Sequence, residues 1–157
     1  MTSPTPARAH QLRRTQFIPK PVDEVFPFFA APENLEALTP PFLGFRILTP
    51  SPIPMQVGTL IDYRISLFGV PLRWRTRIEA YEPGVSFVDV ALRSPYRRWH
   101  HLHTFTPVAG GTRMDDVVDY ELPFGPLGAM THVLLVKRTL ARIFDFRAQA
   151  VRGVFGT

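Results

Sequence analysis

Between residues 72 and 81 the chain alternates: Leu72, Trp74, Thr76, Ile78 and Ala80 fall on one side, and Arg73, Arg75, Arg77 and Glu79 on the other. Successive side chains of an extended chain point to opposite faces, so this pattern predicts a strand with one buried face. Further strands are predicted over 9–18, 44–48, 58–68, 85–92, 97–105 and 112–122, with that first one extended to 72–82. Short turns separate most of them, at Phe68-Gly69-Val70-Pro71, Pro83-Gly84 and Val108-Ala109-Gly110-Gly111. Strands joined so tightly must run antiparallel, because a parallel pair needs a long crossover.

Two places break the period of two. Pro21-Val22-Asp23-Glu24 has a proline and an acidic pair suited to a helix start, and Val22, Val25, Phe26 and Phe29 form its apolar face. Pro27 inside it predicts a kink. Pro32-Glu33-Asn34-Leu35 opens a second short helix, ended by Thr39-Pro40-Pro41. After Pro123-Phe124-Gly125-Pro126, Val133, Val136, Leu140, Ile143, Phe144 and Val151 recur at helical spacing, opposite Lys137, Arg138, Arg142 and Arg152. This predicts a long amphipathic helix over about 131–152. The fold class is α+β: about seven curved antiparallel strands, two short helices after the first, and a long C-terminal helix over the concave face. Residues 1–8 read as a loose tail and 9–157 as one domain.

Strand parity also selects candidate chemistry. Trp99, His101, His103 and Phe105 share one face of their strand, and Met114, Asp116, Val118, Tyr120 and Leu122 one face of the next. A hairpin centred on Ala109-Gly110 sets Phe105 opposite Met114, His103 opposite Asp116, His101 opposite Val118 and Trp99 opposite Tyr120. A carboxylate on an apolar face needs a partner, and His103 is at hand. The His101/His103/Asp116 set fits an interior hydrogen-bond network or ligand contact better than a metal site, and no metal or other cofactor is expected. His103 and Asp116 are the candidates for acid–base chemistry. Tyr63, Trp74, Trp99, His101, His103, Phe105, Asp116, Tyr120, Leu140 and Phe144 are the expected ligand-binding residues, in a cavity between sheet and helix.

Composition narrows the partners. The 157 residues carry a formal charge of +5, and 45% are hydrophobic. Cysteine is absent, so no disulfide framework or thiolate site exists, which suits a reducing, cytoplasmic setting. Lys20 and Lys137 are the only lysines among 18 basic residues, but the arginines are scattered and no nucleic-acid-binding signature accompanies them. The reading is no nucleic acid, with a weak peripheral attraction to anionic membranes left open. Oligomeric state is not encoded in any pattern here.

Three segments resemble bacterial members of the SRPBCC superfamily, the helix-grip group of START lipid-transfer domains, polyketide cyclases, coenzyme Q-binding proteins and the birch-pollen allergen. They are 17–41, the run Trp99-His100-His101-Leu102-His103-Thr104-Phe105, and 110–128 with Asp116, Val118 and Tyr120. The resemblance covers about residues 9–152. It implies a carrier or sensor of a small hydrophobic or amphipathic molecule such as a lipid, quinone or polyketide-like compound. The alternatives are a polyketide cyclase/aromatase using the same cavity and a co-chaperone-like interaction module.

Overall fold

The computed structural model describes residues 9–67, 69–123 and 135–157. The expected tail (1–8) and the first residues of the expected C-terminal helix (131–134) lie outside the described residues.

Seven strands form one antiparallel sheet: β1 (Ala9–Ile18), β2 (Arg46–Ile47), β3 (Leu60–Leu67), β4 (Val70–Glu82), β5 (Ser86–Arg93), β6 (Arg98–Val108) and β7 (Gly111–Glu121). Their spatial order is β1-β7-β6-β5-β4-β3-β2. Consecutive hairpins thus build the meander from β2 to β7, and β1 adds to its far edge along β7, from Ala9 opposite Glu121 to Ile18 opposite Thr112. The hairpin register is as the sequence predicts. His103 lies opposite Asp116, His101 opposite Val118, Trp99 opposite Tyr120 and Phe105 opposite Met114, with Gly110 at φ 81° in the turn.

Two irregularities bend the sheet. Ile78 pairs with Asp89 and Ala80 with Val88, so Glu79 is an extra residue on β4; Arg75 pairs with Arg93 and Thr76 with Ala91, so Leu92 is an extra residue on β5. Each bulge increases local twist. The first also reverses parity. Ala80, expected inward, is exposed, and Tyr81 turns inward to meet Phe26 with ring centroids 5.9 Å apart.

Helix α1 (Val22–Phe29) buries Val25, Phe26 and Phe29, as its spacing predicts, and holds Pro27 within its length. The second predicted helix is reduced to a 3-10 turn at Pro32–Leu35, followed by another at Pro41–Leu43. Pro27, Pro32, Pro40 and Pro41 remove too many N–H donors for a continuing α-helical ladder. Asn34 instead uses its side-chain amide to donate to the Phe28 carbonyl at 2.9 Å. The strand expected over 44–48 shrinks to β2, because Gly44 takes φ 53° to end the preceding turn.

Helix α2 (Lys137–Phe155) lies over the sheet with Leu140, Phe144 and Val151 buried. It is fixed to β1 by Gln16 donating to the Ala148 carbonyl at 2.9 Å and by an Arg14–Asp145 ion pair at 3.1 Å. Beneath α1 and the end of α2, Ile18, Val25, Phe26, Phe29, Phe87, Phe105, Met114 and Val151 form a packed core. No helix among the described residues is long and apolar enough to cross a membrane.

Candidate functional site

Where that core ends, the sheet and α2 separate. Between them lies a cavity of about 180 Å³. Its strand wall comes from inward positions before the Glu79 bulge, Trp74, Thr76 and Ile78, with Ile61, Tyr63 and Ile65 of β3 beside them. Trp99, His101 and His103 of β6 continue it, and Leu140, Ile143, Phe144 and Arg147 of α2 close it. The turns after α1 supply Leu35, Leu38, Leu43 and Phe45. One end is an aromatic box, with Tyr63 stacked on Trp74 at 5.7 Å and Trp99 edge-on to Trp74 at 5.2 Å.

The polar part of the wall is a compact cluster. His101 Nε2 lies 2.8 Å from Asp116 Oδ1, and His103 Nε2 lies 2.6 Å from Asp89 Oδ2. The remaining ring nitrogens complete a crossed arrangement: His101 Nδ1 is 3.8 Å from Asp89 Oδ2, and His103 Nδ1 is 3.3 Å from Asp116 Oδ1. Arg147 places Nη2 3.5 Å from both His103 Nδ1 and Asp116 Oδ1. Parity brings these groups together, since Asp89 pairs directly with His101 across β5 and β6.

Burial and charge act against each other here. Burial alone would raise both carboxyl groups, yet both stay below the ordinary range. For Asp89 the neighbouring histidines outweigh burial, and for Asp116 it is Arg147 first, then the histidines, with the larger lowering at Asp116. The histidines separate. Burial and the charge of its neighbour lower His101, whereas at His103 the hydrogen bonds to Asp116 and Asp89 overcome burial and raise it. Tyr63 is raised by burial, so its hydroxyl remains protonated and lies 3.4 Å from Thr76 Oγ1.

Of the expected residues, Tyr63, Trp74, Trp99, His101, His103, Leu140 and Phe144 line the cavity, and three do not. Phe105 is sealed under α1, edge-on to Phe26 at 5.1 Å. Tyr120 packs behind the wall against Tyr96, with centroids 5.8 Å apart. Asp116 stands behind the histidines and faces a cleft shared with Arg14, Gln16 and Ala148. The expected His103–Asp116 pairing is the longer of Asp116's two histidine contacts, the shorter being to His101.

Asp89 and Arg147 escaped the sequence reading. Asp89 shares inward parity with Phe87 on β5, and Arg147 is seven positions after Leu140 and three after Phe144, on the buried stripe of α2. Asp89, His101 and His103 bring ligating atoms within 4.8 Å of one another, a grouping a divalent ion could use. Asp89 and His103 already hydrogen-bond each other, His101 is held by Asp116, and the Arg147 guanidinium beside them opposes a further cation.

A curved antiparallel sheet closed by a C-terminal helix over an apolar cavity defines a helix-grip domain of the SRPBCC class. Residues 18–146 match the family described as polyketide cyclase / dehydrase and lipid transport, and the chain belongs to that family. Solved structures share the fold at low identity. A protein from Chromobacterium violaceum is 14% identical with a TM-score of 0.71, covering 94% of this chain and 99% of its own. The di-domain ARO/CYC StfQ of the steffimycin biosynthetic pathway is 14% identical with a TM-score of 0.72, over 95% of this chain and 51% of its own. A Thalictrum flavum norcoclaurine synthase point mutant, in complex with a transition-state analogue, is 12% identical with a TM-score of 0.64, over 91% and 94%. No curated protein sequence matches the chain.

Proposed function

We propose that the protein binds a small, largely apolar, ring-sized molecule between sheet and α2 and releases it unchanged, as a carrier or sensor. The cavity carries this reading. Its volume of about 180 Å³ lies below the ~300–1,000 Å³ of sites for drug-sized ligands and just above the ~150 Å³ that takes a benzene. That size favours one or two fused rings, a quinone or polyketide-like fragment, over a long acyl chain. Burying ~250 Å² of ligand apolar surface at about 25 cal/mol/Å² offers roughly 6 kcal/mol before association costs. The polar cluster then supplies orientation.

The test is titration of ligand-stripped protein with naphthalene-sized and long-chain probes, following Trp74 and Trp99 emission. Sub-millimolar binding of the bicyclic probes and weaker binding of fatty acids is expected. Millimolar or absent binding of every bicyclic probe would overturn the reading.

A second reading, a cyclase-type enzyme, draws on one observation: His103 and Asp89 form a 2.6 Å pair at the cavity wall, with the two histidines shifted in opposite directions. Environments that part the affinities of two neighbouring groups for protons are how acid and base roles are assigned. Return of a bound poly-β-ketone as a cyclised product, abolished by His103→Ala, would select the enzyme.

A further inference from the structure

Within the cluster, Asp89 is the most open of the cavity-lining groups, ahead of Arg147 at 11%. It lines the cavity and keeps 18% of its side-chain surface, whereas His101, His103 and Asp116 keep 6%, 5% and 4%. Its two oxygens are not equivalent. Oδ2 faces both histidines, at 2.6 Å from His103 Nε2 and 3.8 Å from His101 Nδ1. Oδ1 receives no hydrogen bond among the described residues. A carboxylate oxygen accepts and never donates when ionised, so any group seated against Oδ1 must bring the hydrogen.

Resting on the reading of a ring-sized ligand, we propose that the ligand is a neutral hydroxylated aromatic, a phenol or stable enol, whose O–H donates to Asp89 Oδ1 while its rings lie against the Tyr63/Trp74 box. Charge argues for a neutral donor over an ammonium group. The charged and titratable groups facing Asp89 are His101 and His103 from β6, Arg147 from α2 and Tyr63 from β3, with Asp116 from β7 behind the histidines. His103 turns both ring nitrogens toward carboxylate oxygens, and the Arg147 guanidinium acts on the same two carboxylates. A cation added there would meet the Arg147 guanidinium, which already acts on both carboxylates. A ligand oxygen without a hydrogen would face the carboxylate lone pairs and be repelled.

Calorimetric titration with four ring-matched probes tests this: tetralin bearing a phenolic hydroxyl, its methyl ether, tetralin itself, and tetralin bearing an ammonium group. The phenol is expected to bind about tenfold or more tighter than the ether and the hydrocarbon. In Asp89→Leu, which keeps the branched four-atom shape and removes the acceptor, the phenol and the ether should bind alike. Should that variant not fold, the phenol-to-ether ratio in the parent protein decides. Equal binding of phenol and ether, or tightest binding of the ammonium probe, overturns this inference while leaving the ring-sized ligand standing. Failure of all four to bind overturns both.

Discussion

His101 and His103 lie ring on ring, with centroids 3.7 Å apart and planes 23° from parallel, and each spans the gap between Asp89 and Asp116. Residues two apart on a strand share a face, so the stack follows from β6 geometry. The carboxylates come from the neighbouring strands on either side. Four side chains from three strands thus fix one another, and α2 adds Arg147 as the fifth.

This arrangement predicts separate titration of the two rings. By heteronuclear NMR, His103 is expected to titrate above the ordinary value of about 6.5 and His101 below it. The signs for stability are opposite. A raised His103 stabilises fully below pH ~6.5, and that contribution is lost as pH climbs through its folded value. A lowered His101 stabilises above pH ~6.5 and loses that contribution as pH falls through its folded value. Urea midpoints should therefore pass through a shallow maximum near pH 6.5, and His103→Gln should remove the decline on the alkaline side.

Asp116→Asn should be costly. The carboxylate is buried, holds His101 at 2.8 Å and faces Arg147, and its removal leaves a largely buried guanidinium short of a counter-charge. Losing one partner of such a set costs about 3 kcal/mol or more. Equilibrium urea denaturation at pH 7 measures it, with the midpoint lowered at unchanged slope.

Gly111 and Gly153 make a matched pair. A Cβ at Gly111 would run into the backbone of Ile18 and Pro19, where β7 meets the end of β1, whereas one at Gly153 on α2 would meet nothing among the described residues. Gly111→Ala is expected to cost about 2 kcal/mol or more, because backbone must move to admit the methyl group. Gly153→Ala should gain about 0.5–1 kcal/mol from helix propensity. Thermal unfolding midpoints of the two variants should shift in opposite directions.

On the convex face, Arg46 lies opposite Arg64, and Arg64 opposite Arg73, three like charges in register across β2, β3 and β4. All three are exposed, and none forms an ion pair among the described residues. Arg64→Glu would place a carboxylate between two guanidinium groups and should stabilise by about 0.5–1 kcal/mol in low salt. The gain should shrink as ionic strength rises.

The sequence made the sheet legible because its information is local. Alternation names the strands, and Ala109-Gly110 sets the hairpin register from which the His103–Asp116 opposition follows. The 3.6-residue period of Leu140, Phe144 and Val151 names the helix. What stayed hidden depends on contacts remote in sequence. Asp89 reads as one acid on a short strand until β5 is set beside β6. Phe105 and Tyr120 carry the parity of wall residues, but α1 covers the first and α2 packs over the second, which no strand pattern records. Arg147 lies on an apolar helix face, where its charge makes sense only once Asp116 stands opposite.

The extra residue at Glu79 leaves β4 with two unrelated duties. Before it, Trp74, Thr76 and Ile78 touch whatever the cavity holds; after it, Tyr81 belongs to the packing that anchors α1. Changes of size at Thr76 can therefore retune what fits without disturbing the anchor, and an inserted or deleted residue at Glu79 would exchange the two inventories wholesale. That frame offset makes one half of the strand open to variation while the other half is held fixed, so new ligand preferences in this scaffold should arise by substitution before position 79 and not by changes in strand length.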